Sequence, residues 1–561
     1  MGETWTFGSS AKLRSLFAIL LNYSEISNPQ AIYDMFKDNM MDDFRDSISV
    51  KDKENQLLIR LDDLLQDMGS SMEQFPDLPQ PSHAMDSVRD TRAFRRERYV
   101  ENIQEDKHDE LREKLANNKD QLRIFNQIVN AIDNNRPEQF VINAPGGCGK
   151  TFLFECLSTY VRSQGQIALN CASTGIAAWN LEGGRTAHSM FKIPINADEE
   201  TTSNIRAQTS EAAVIREAKI IIWDEIFNVH QHNIGVVDRL LQDFMQSKKP
   251  FGGKIVIFGG DPRQTPPVVK KGKRGETVAA SFKSSPLYSN ITEMKLTKNM
   301  RVRDGDENFC QWLLDIGDGT ISDDEEQWVE VPKEHLAKSK MDLIEHTFPH
   351  IESMDKDELM SSGIFCPRND DAWEINRICL NKLKGQERTY LSCDRVEEED
   401  CVSVNTELLN SRRPSGFPDH NLVLKVGAPV MLLRNLQCGL VNGTRMIVRA
   451  MHDKVLECEI MVGHRKGEIV FIPRIPLYDR SNDYPWCMVR IQFPVRVCFA
   501  MTIHKGQGQS MLRVGVYVDQ QMFAHGQLYV AVSRAILAAG LKIFVEGGKG
   551  MLKNIVYKEI L

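Results

Sequence analysis

The sequence lacks the features that mark zinc-binding, disulfide-bonded and membrane-spanning proteins. Its 12 cysteines are scattered over 561 residues without a C-x-x-C pair, so neither a zinc site nor a disulfide framework is indicated. This cysteine usage fits a reducing compartment. The apolar run Leu16–Leu21 is far too short to span a bilayer, and no small-residue cleavage site follows it. We therefore expect neither a membrane anchor nor a signal peptide.

Positive charge is not in excess either. The formal net charge is −8, whereas many nucleic-acid-binding proteins are basic overall. A basic groove on an acidic body remains compatible with this balance, because local charge decides phosphate contacts. The hydrophobic fraction of 42% and the charged fraction of 26% are typical of globular proteins. The length suggests roughly three or four domains.

The most informative stretch is a glycine-rich turn between an apolar strand and a helix. Residues 141–151 read Val-Ile-Asn-Ala-Pro-Gly-Gly-Cys-Gly-Lys-Thr. Glycines let backbone N–H groups curl around a phosphate, and the N-terminus of the following helix favours the same negative charge. Lys150 supplies a mobile cation, and the Thr151 hydroxyl is a ligand for Mg²⁺. The sequence therefore predicts a nucleoside triphosphate site, with Ala144 where the usual pattern has glycine.

Two further polar groups directly follow apolar strands. Asp224 and Glu225 come after residues 220–223, and Gln264 ends a turn that begins at residue 259. Because the carboxyl ends of parallel strands share one edge of a sheet, we expect both groups beside the glycine-rich turn. Asp224 is predicted to hold Mg²⁺, and Glu225 to orient and deprotonate the attacking water. Gln264 is predicted to sense the γ-phosphate.

Strands and helices alternate from about residue 115, which predicts parallel sheets. In the first block we expect strands at 140–143, 167–171, 219–223 and 254–258, and helices at 151–162 and 233–245. In the second block we expect strands at 363–366, 496–500, 513–518 and 541–545, and helices at 371–383 and near 528–533. Residues 403–490 are rich in short strands and turns, which predicts a small barrel-like insertion. Residues 1–100 are predicted to be helical, with an apolar face from Leu13 to Leu20 that packs on a neighbouring helix.

Several further stretches stand in a fixed order along the chain: 172–178, 186–189, 259–264, 296–301, 502–508 and 529–534. With the glycine-rich turn and Asp224-Glu225, they resemble the ordered motifs of the Pif-type (petite integration frequency) DNA helicases of superfamily 1. The resemblance covers roughly residues 115–561. Further stretches are similar to the group of this family found in Helitron transposons: 13–17, 316–319, 427–435 and 439–444.

The resemblance implies an α/β fold with two RecA-like P-loop NTPase domains, a small β-barrel-like insertion and an N-terminal helical segment. ATP and Mg²⁺ are the implied cofactors. The implied catalytic residues are Lys150, Asp224, Glu225 and Gln264, with Arg301 and Arg534 as arginine fingers that reach the γ-phosphate; Thr151 and Asp224 would hold the metal. Gln121 would read the adenine edge. The other implied nucleotide-binding residues are Pro145, Gly146, Gly147, Cys148, Gly149, Lys150, Thr151 and Gly508, with Cys148 standing where the family more usually has threonine.

The family pattern also points to residues that contact DNA. They are expected on both RecA-like domains: Thr174, Thr186, His188, Ser189 and Phe191 on the first, and Thr502, His504 and Lys505 on the second. Hydroxyl, imidazole and ammonium groups suit phosphate contacts, which position a strand without reading its sequence. Phe191 is expected either to stack on a base or to lie in the core.

The resemblance implies the following domain bounds. We expect a helical extension over 1–105 and a first RecA-like domain over 106–300, with a small wedge insertion between Thr186 and Arg216. The second RecA-like domain is expected over 301–402 and 491–561, and the β-rich insertion over 403–490.

The activity implied is an ATP-dependent helicase that moves 5′→3′ on single-stranded DNA and acts on forked DNA. We expect a nuclear protein of DNA repair, recombination, telomere maintenance or transposon replication; its protein partners are unknown. Two alternatives stay open. One is a P-loop ATPase that remodels protein, and the other is a DNA-binding remnant of a transposon helicase without efficient unwinding.

Overall fold

The computed structural model describes residues 9–24, 26, 28–44, 49–68, 70–82, 104–269, 272–300, 306–321, 327–397, 404–436, 440–463, 465–479, 484, 486–547 and 550–561. In this part of the chain no helix is long and apolar enough to cross a membrane. The chain divides into two compact units. Unit 1 comprises Met1–Met85, His350–Met360 and Ile375–Phe499, and unit 2 comprises Asp86–Pro349, Ser361–Glu374 and Ala500–Leu561.

The α-helices of the described residues follow in chain order. They are α1 (Ser10–Tyr23), α2 (Pro29–Met41), α3 (Val50–Asp67), α4 (Gln104–Ala116), α5 (Lys119–Asp133), α6 (Lys150–Ser163), α7 (Gly175–Trp179), α8 (Ala187–Met190), α9 (Ser210–Glu217), α10 (Gln231–Met245), α11 (Arg274–Ala280), α12 (Glu307–Asp318), α13 (Lys340–Thr347), α14 (Lys356–Met360), α15 (Asn369–Lys382), α16 (Thr406–Ser411) and α17 (Gln527–Val532).

The strands of the described residues are numbered in the same way. They are β1 (Gln139–Asn143), β2 (Ala168–Ala172), β3 (Arg185–Thr186), β4 (Ile220–Asp224), β5 (Ile255–Gly260), β6 (Thr292–Lys295), β7 (Trp328–Glu330), β8 (Ser362–Cys366), β9 (Glu387–Leu391), β10 (Cys393–Val396), β11 (Asn421–Lys425), β12 (Pro429–Leu432), β13 (Arg445–Met451), β14 (Val455–Ile460), β15 (Ile469–Pro473), β16 (Ile475–Asp479), β17 (Met488–Gln492), β18 (Val495–Val497), β19 (Ala500–Thr502), β20 (Arg513–Val518), β21 (Leu541–Val545) and β22 (Met551–Lys553).

Unit 2 contains a parallel six-stranded sheet in the order β3-β2-β4-β5-β1-β6. Every residue of β1, β2, β4 and β5 is buried, which is why these strands read as near-continuous apolar runs. The predicted strands of this block are confirmed. Since β5 pairs with both β1 and β4, the loops that follow these three strands open at the same edge of the sheet.

Unit 2 also contains a second parallel sheet, in the order β19-β8-β20-β21. The predicted strands at 363–366, 513–518 and 541–545 are confirmed here, and the helix expected near 528–533 is α17. A small antiparallel pair joins β7 and β22. The fold is thus α/β, with two parallel sheets of the RecA-like kind in one unit.

The single strand predicted at 496–500 is wrong. Two strands replace it: β18 pairs antiparallel with β12 in unit 1, whereas β19 pairs parallel with β8 in unit 2. The sequence gives no sign of this change of partner, because the residues of both strands and of the connection between them are mostly buried and apolar.

Unit 1 is built from antiparallel sheets. A five-stranded sheet has the order β15-β14-β13-β12-β18, a three-stranded sheet has the order β10-β17-β16, and β9 pairs with β11. The expectation of a β-rich insertion is confirmed. Its antiparallel strands also include β9, β10 and β18, which lie outside the expected 403–490, and β17, which extends two residues beyond it.

The N-terminal helices α1, α2 and α3 belong to unit 1 and share a core of their own, which includes Phe17, Tyr33 and Leu61. A second contact joins α1 to the antiparallel sheet, because Leu16 and Leu20 pack against β14 and β15. The predicted apolar residues of α1 therefore make two contacts, one with α2 and α3 and one with the antiparallel sheet.

Candidate nucleotide site and nucleic-acid interface

The glycine-rich turn joins β1 to α6 as predicted. Gly147 and Gly149 have φ angles of +90° and +76°, in the left-handed region that favours glycine. The Gln121 side chain packs closely against Gly149 and leaves no room for a larger residue, since a Cβ there would lie 2.3 Å from Gln121 Nε2. The N-terminal end of α6 begins at Lys150, so the helix dipole and the free amides of its first turn face this loop.

Ala144 and Cys148, the two departures from the family pattern, lie in the core beneath the loop. Both side chains belong to the buried cluster that also contains Phe140 and Phe154. The Ala144 amide donates to the Gly260 carbonyl oxygen at 3.0 Å and so extends the pairing of β1 with β5. Neither position has the positive φ that would require glycine.

Lys150 contacts both carboxylates that follow β4. Its Nζ forms an ion pair with Asp224 Oδ1 and lies 3.4 Å from Glu225 Oε1. Burial lowers the pKa of the Lys150 ammonium, but the two carboxylates outweigh it and hold this pKa above its ordinary value. The ammonium is therefore charged at neutral pH.

Glu225 has an unusual backbone for a residue with a side chain, with φ of +54° and ψ of +43°. Two hydrogen bonds fix it. The Glu225 amide donates to Asp224 Oδ1 at 2.7 Å, and Ser173 Oγ donates to the Glu225 carbonyl oxygen at 2.6 Å. Left-handed non-glycine residues of this kind concentrate at functional sites.

Most of the residues predicted to bind or hydrolyse the nucleotide line one cavity of about 300 Å³. The predicted residues that line it are Pro145, Gly146, Gly147, Cys148, Gly149, Lys150, Thr151, Asp224, Glu225, Gln264, Gly508 and Arg534. Sequence reasoning missed four other lining residues: Ala144 as a contact, Ala177, Asn180 and Met300. Ala177 and Met300 lie inside stretches that resemble the family, whereas no sequence signal singles out Asn180.

Gln264 and Arg534 reach the cavity from opposite sheets. Gln264 is 5% exposed, and its Oε1 is buried without a hydrogen-bond partner among the described residues. Arg534 is 2% exposed and is held by donation to the Val530 and Gln509 carbonyl oxygens, at 2.9 and 3.1 Å. Burial lowers the pKa of Arg534, but an arginine remains charged at neutral pH.

Gln121 contacts the phosphate loop and is not among the residues that line the cavity. Its Nε2 donates to the Cys148 carbonyl oxygen at 3.1 Å and to that of Gly149 at 3.4 Å. Asn118, which caps α5, accepts hydrogen bonds from the first-turn amides and fixes this end of the helix. In this structure Gln121 therefore braces the loop.

Arg301 lies outside the described residues. The residues just before it contact the phosphate loop: the Met300 amide donates to the Gly147 carbonyl oxygen at 2.8 Å, and Asn299 Nδ2 donates to that of Gly146 at 3.4 Å.

Thr151 and Asp224 offer a hydroxyl and a carboxylate at the same cavity, and these are the hard oxygen ligands that Mg²⁺ prefers. The described residues contain no group of three or more His, Cys, Asp or Glu side chains that would hold a metal without other ligands. Mg²⁺ commonly binds through one or two protein oxygens, with waters and substrate phosphates completing its shell. The residues present therefore fit Mg²⁺ that arrives with a nucleotide.

The predicted DNA contacts lie on loops at the ends of strands. Thr174 and Thr186 cap α7 and α8, accepting hydrogen bonds from the Ala177 and Ser189 amides. On the second sheet, Thr502 ends β19, and His504 and Lys505 follow it in a 3₁₀ turn. Two residues after Lys505, Gln507 Nε2 donates to Thr265 Oγ1 at 2.7 Å, which joins this loop to the loop that carries Gln264.

The possibility that Phe191 stacks on a base is corrected by the structure. Its side chain is fully buried in the core of the first sheet, with its ring centroid 6.0 Å from that of Trp223. The core interpretation is the right one for this residue. By contrast, Thr174, Thr186, His188, Thr502, His504 and Lys505 are partly exposed and Ser189 is exposed.

Two family models match the sequence. Residues 116–327 match the family described as PIF1-like helicase, and residues 407–451 match that of the DNA helicase Pif1 2B domain. The first match covers the glycine-rich turn, the two carboxylates and Gln264, and the second lies within the antiparallel part of unit 1.

Two DNA helicases are similar to the chain over most of its length. The chain is 27% identical over 408 residues to the ATP-dependent DNA helicase PIF1 of Rattus norvegicus, covering 71% of this chain but 57% of that protein. It is 28% identical over 415 residues to the ATP-dependent DNA helicase Pif1 of Bdellovibrio bacteriovorus, covering 72% of this chain and 84% of that protein. The chain thus spans little more than half the length of the rat relative.

A solved structure agrees with the fold. The crystal structure of a Bacteroides Pif1 helicase in complex with ADP-AlF3 and single-stranded DNA superposes with a TM-score of 0.55 and 26% identity. The match covers 78% of this chain and 93% of that one.

Proposed function

We propose that the chain is a member of the Pif1-like family of superfamily 1 DNA helicases, and that it is an ATP-dependent DNA helicase that moves 5′→3′ along single-stranded DNA. One observation carries the proposal: a single cavity is lined by Lys150, Asp224, Glu225, Gln264 and Arg534, brought together from two parallel sheets. A cation, two carboxylates, an amide and a guanidinium are the groups that phosphoryl transfer needs.

Each group has a chemical role in ATP hydrolysis. The loop amides and Lys150 bind the phosphates, and Glu225 orients a water and accepts its proton. Arg534 stabilises the charge that develops on the transferred phosphoryl group, and Gln264 contacts the γ-phosphate or that water. Arg301 acts as a second arginine finger in this proposal.

We propose that Thr151 and Asp224 hold Mg²⁺ together with the nucleotide. The ion supplies positive charge that offsets the charge of the phosphate oxygens. Lys150 pairs with Asp224 and Glu225 in this structure. When a nucleotide binds, the charged Lys150 ammonium exchanges these carboxylates for a phosphate oxygen.

Single-stranded DNA is the proposed partner on which the enzyme moves. Thr174, Thr186, His188 and Ser189 contact its phosphates from one set of loops, and Thr502, His504 and Lys505 from the other. The hydrogen bond between Gln507 and Thr265 joins the loop of the second set to the loop that carries Gln264, so a change at the nucleotide reaches Lys505 and its neighbours over a short path. Alternating closure of the two sheets would then move the strand.

Forked DNA is the proposed duplex substrate, with the segment between Thr186 and Arg216 as the separating wedge. This segment carries Ile195, which is 91% exposed, and such an apolar side chain is suited to stack on an end base pair. Opening one base-pair step costs about 1.4 kcal/mol on average, well within what ATP hydrolysis supplies.

We further propose that the chain is most similar to the Helitron-associated group and acts in the nucleus, in DNA repair, recombination, telomere maintenance or transposon replication. The domain bounds expected from the sequence stay part of this proposal. They are 1–105, 106–300, 301–402 with 491–561, and 403–490.

The experiment is ATP hydrolysis measured with and without single-stranded DNA. We expect DNA to stimulate the wild-type rate and Lys150→Ala to abolish hydrolysis, whereas Lys248→Ala, which removes an exposed lysine, leaves the rate unchanged. Glu225→Gln should still bind ATP but should not hydrolyse it. A rate of ATP hydrolysis that does not change when DNA is added would favour an ATPase of another class. Wild-type turnover in Lys150→Ala would contradict the proposed nucleotide site.

A further inference from the structure

A buried hydrogen bond joins the two parallel sheets next to the cavity. The Tyr529 hydroxyl on α17 donates to Asp261 Oδ2 at 2.7 Å, from the loop that follows β5. Tyr529 is 2% exposed and Asp261 is 1% exposed, so water does not replace this bond. Both residues lie in stretches that resemble the family, 259–264 and 529–534.

The same hydroxyl reaches the phosphate loop. The Gly146 amide donates to the Tyr529 oxygen at 3.5 Å, a long hydrogen bond. Gly146 lines the cavity, and its amide is one of those expected to meet a nucleotide phosphate. Tyr529 therefore contacts both the loop that binds phosphate and the loop that carries Gln264.

An arginine and a second aspartate extend the cluster. Arg263 Nη1 lies 3.6 Å from Asp261 Oδ1, and Arg263 Nε lies 2.7 Å from Asp318 Oδ1. Asp318 ends α12, in the stretch Ile316-Gly317-Asp318-Gly319 that the nucleotide site leaves unexplained. A Cβ at Gly317 would lie 2.5 Å from Arg263 Cδ and 3.0 Å from Tyr529 Cδ2. Glycine at this position lets α12 approach the cluster.

The Gln264 loop is also held from its other side. The carbonyl oxygen of Pro262 lies 3.0 Å from His525 Nε2, and a Cβ at Gly526 would lie 2.3 Å from the Arg263 carbonyl oxygen. The residues just before α17 thus fit closely against the backbone of this loop.

We propose that Tyr529 is a positioning residue for ATP hydrolysis, acting through Asp261, and that Arg263 and Asp318 hold Asp261 in place. The proposal deepens the function proposed above and rests on it. Asp261 lies three residues before Gln264, and Tyr529 lies five residues before Arg534. One hydrogen bond therefore fixes the two segments that carry groups for the γ-phosphate, and the Gly146 amide connects it to nucleotide binding.

Tyr529→Phe tests the proposal because it removes the hydroxyl and keeps the ring. We expect kcat for DNA-stimulated ATP hydrolysis to fall roughly tenfold or more, as for loss of a hydrogen bond to a buried carboxylate. KM for ATP should change by less than about threefold, since Lys150 and the loop amides remain. The double variant Asp261→Asn/Tyr529→Phe should lose no more kcat than the more impaired of the two single variants, because both substitutions remove the same hydrogen bond.

Tyr517→Phe is the matched control. It removes another buried tyrosine hydroxyl in the second sheet, one that donates to Glu546 at 3.0 Å. Its kcat and KM should stay within about twofold of the wild type. A tenfold loss in this variant as well, or an unchanged kcat in Tyr529→Phe, would overturn the proposal.

Hydrogen–deuterium exchange makes the test independent of turnover. In the nucleotide-free protein, Tyr529→Phe should speed exchange of the amides of 261–265 and of α17, and Tyr517→Phe should not. Equal exchange in all three proteins would overturn the proposal. A wild-type protein that binds ATP without hydrolysing it would contradict the proposed function, and the exchange result would still decide whether Tyr529 joins these segments.

Discussion

At the residue scale, charge and backbone strain are concentrated at the carboxyl edge of the first sheet. Glu225 holds a left-handed backbone that costs roughly 1 kcal/mol or more, and Ser173 and Asp224 hold it there by hydrogen bonds. Its carboxylate faces Lys150 across 3.4 Å. The arrangement places a carboxylate and an ammonium group side by side at this edge of the sheet.

His525 illustrates how a single buried side chain sets a pH response. Its Nδ1 accepts from the Tyr557 amide at 2.8 Å, and its Nε2 donates to the Pro262 carbonyl oxygen, which requires the neutral ring. Burial lowers the pKa of His525, Arg274 lowers it further, and Pro262 and Glu559 act in the opposite direction.

We therefore expect the free energy of unfolding to fall as the pH drops below about 6.5, because the unfolded chain then binds a proton that folded His525 does not. His525→Gln should lose less stability between pH 7 and pH 5.5 than the wild type does, as measured by thermal unfolding at each pH. His452→Gln serves as the control. Identical pH dependence in the wild type and His525→Gln would contradict this account of the ring.

At the scale of single elements, α1 connects the helical core of unit 1 to its five-stranded sheet. Leu16, which is 1% exposed, packs with Val455 of β14 and Phe471 of β15. Lys12 Nζ lies 6.0 Å from the centroid of the Phe471 ring. The extension is thus part of the packing of unit 1 and is not a separate tail.

Leu16→Ala should destabilise unit 1 by about 2–5 kcal/mol, since it leaves a cavity between helix and sheet. Met35→Ala, at a side chain that is 71% exposed, should change stability by less than about 0.5 kcal/mol. Urea unfolding measures both. Equal and small effects would mean that α1 does not pack on the sheet in solution.

The approach of α12 to Arg263 and Tyr529 depends on Gly317. Gly317→Ala places a Cβ against Arg263 and Tyr529, so we expect DNA-stimulated ATP hydrolysis to fall roughly tenfold while the secondary structure is retained. Gly275→Ala in α11 is the control, because a Cβ there meets no atom within 4 Å. Steady-state rates and circular dichroism of the two variants decide the matter. Wild-type rates in Gly317→Ala would contradict the close packing.

The sequence predicted those parts of the site that stand next to a recognisable strand. Lys150, Asp224 and Gln264 each follow a buried apolar run, so their placement at one sheet edge is a consequence of parallel pairing. Arg263 and Asp318 are 55 residues apart and meet only through tertiary packing, which no local pattern encodes. The burial of Phe191 likewise depends on tertiary packing, because its ring lies against that of Trp223, 32 residues further along the chain.

At the scale of the whole molecule, a net charge of −8 makes local charge decisive for DNA binding. The proposed contacts include one lysine, Lys505, among hydroxyl and imidazole groups. Burial lowers the pKa of both His188 and His504, so these rings are neutral at pH 7 and contribute hydrogen bonds only.

We expect affinity for single-stranded DNA to fall with salt concentration. Lys505→Ala should reduce the slope of log K against log salt by about 0.7, the value for one phosphate contact on a single strand. Lys248→Ala should leave the slope unchanged. Fluorescence anisotropy of a labelled oligonucleotide at several salt concentrations measures it. Equal slopes in Lys505→Ala and the wild type would mean that Lys505 makes no phosphate contact.

The central claim is that ATP hydrolysis in this cavity drives directional strand separation. The most direct test is unwinding of a fluorescent duplex that carries either a 5′ or a 3′ single-stranded tail, with ATP and Mg²⁺. We predict that the wild type separates the 5′-tailed duplex, that it fails on the 3′-tailed duplex, and that Lys150→Ala separates neither. Equal unwinding of both duplexes, or unwinding by Lys150→Ala, would contradict the claim.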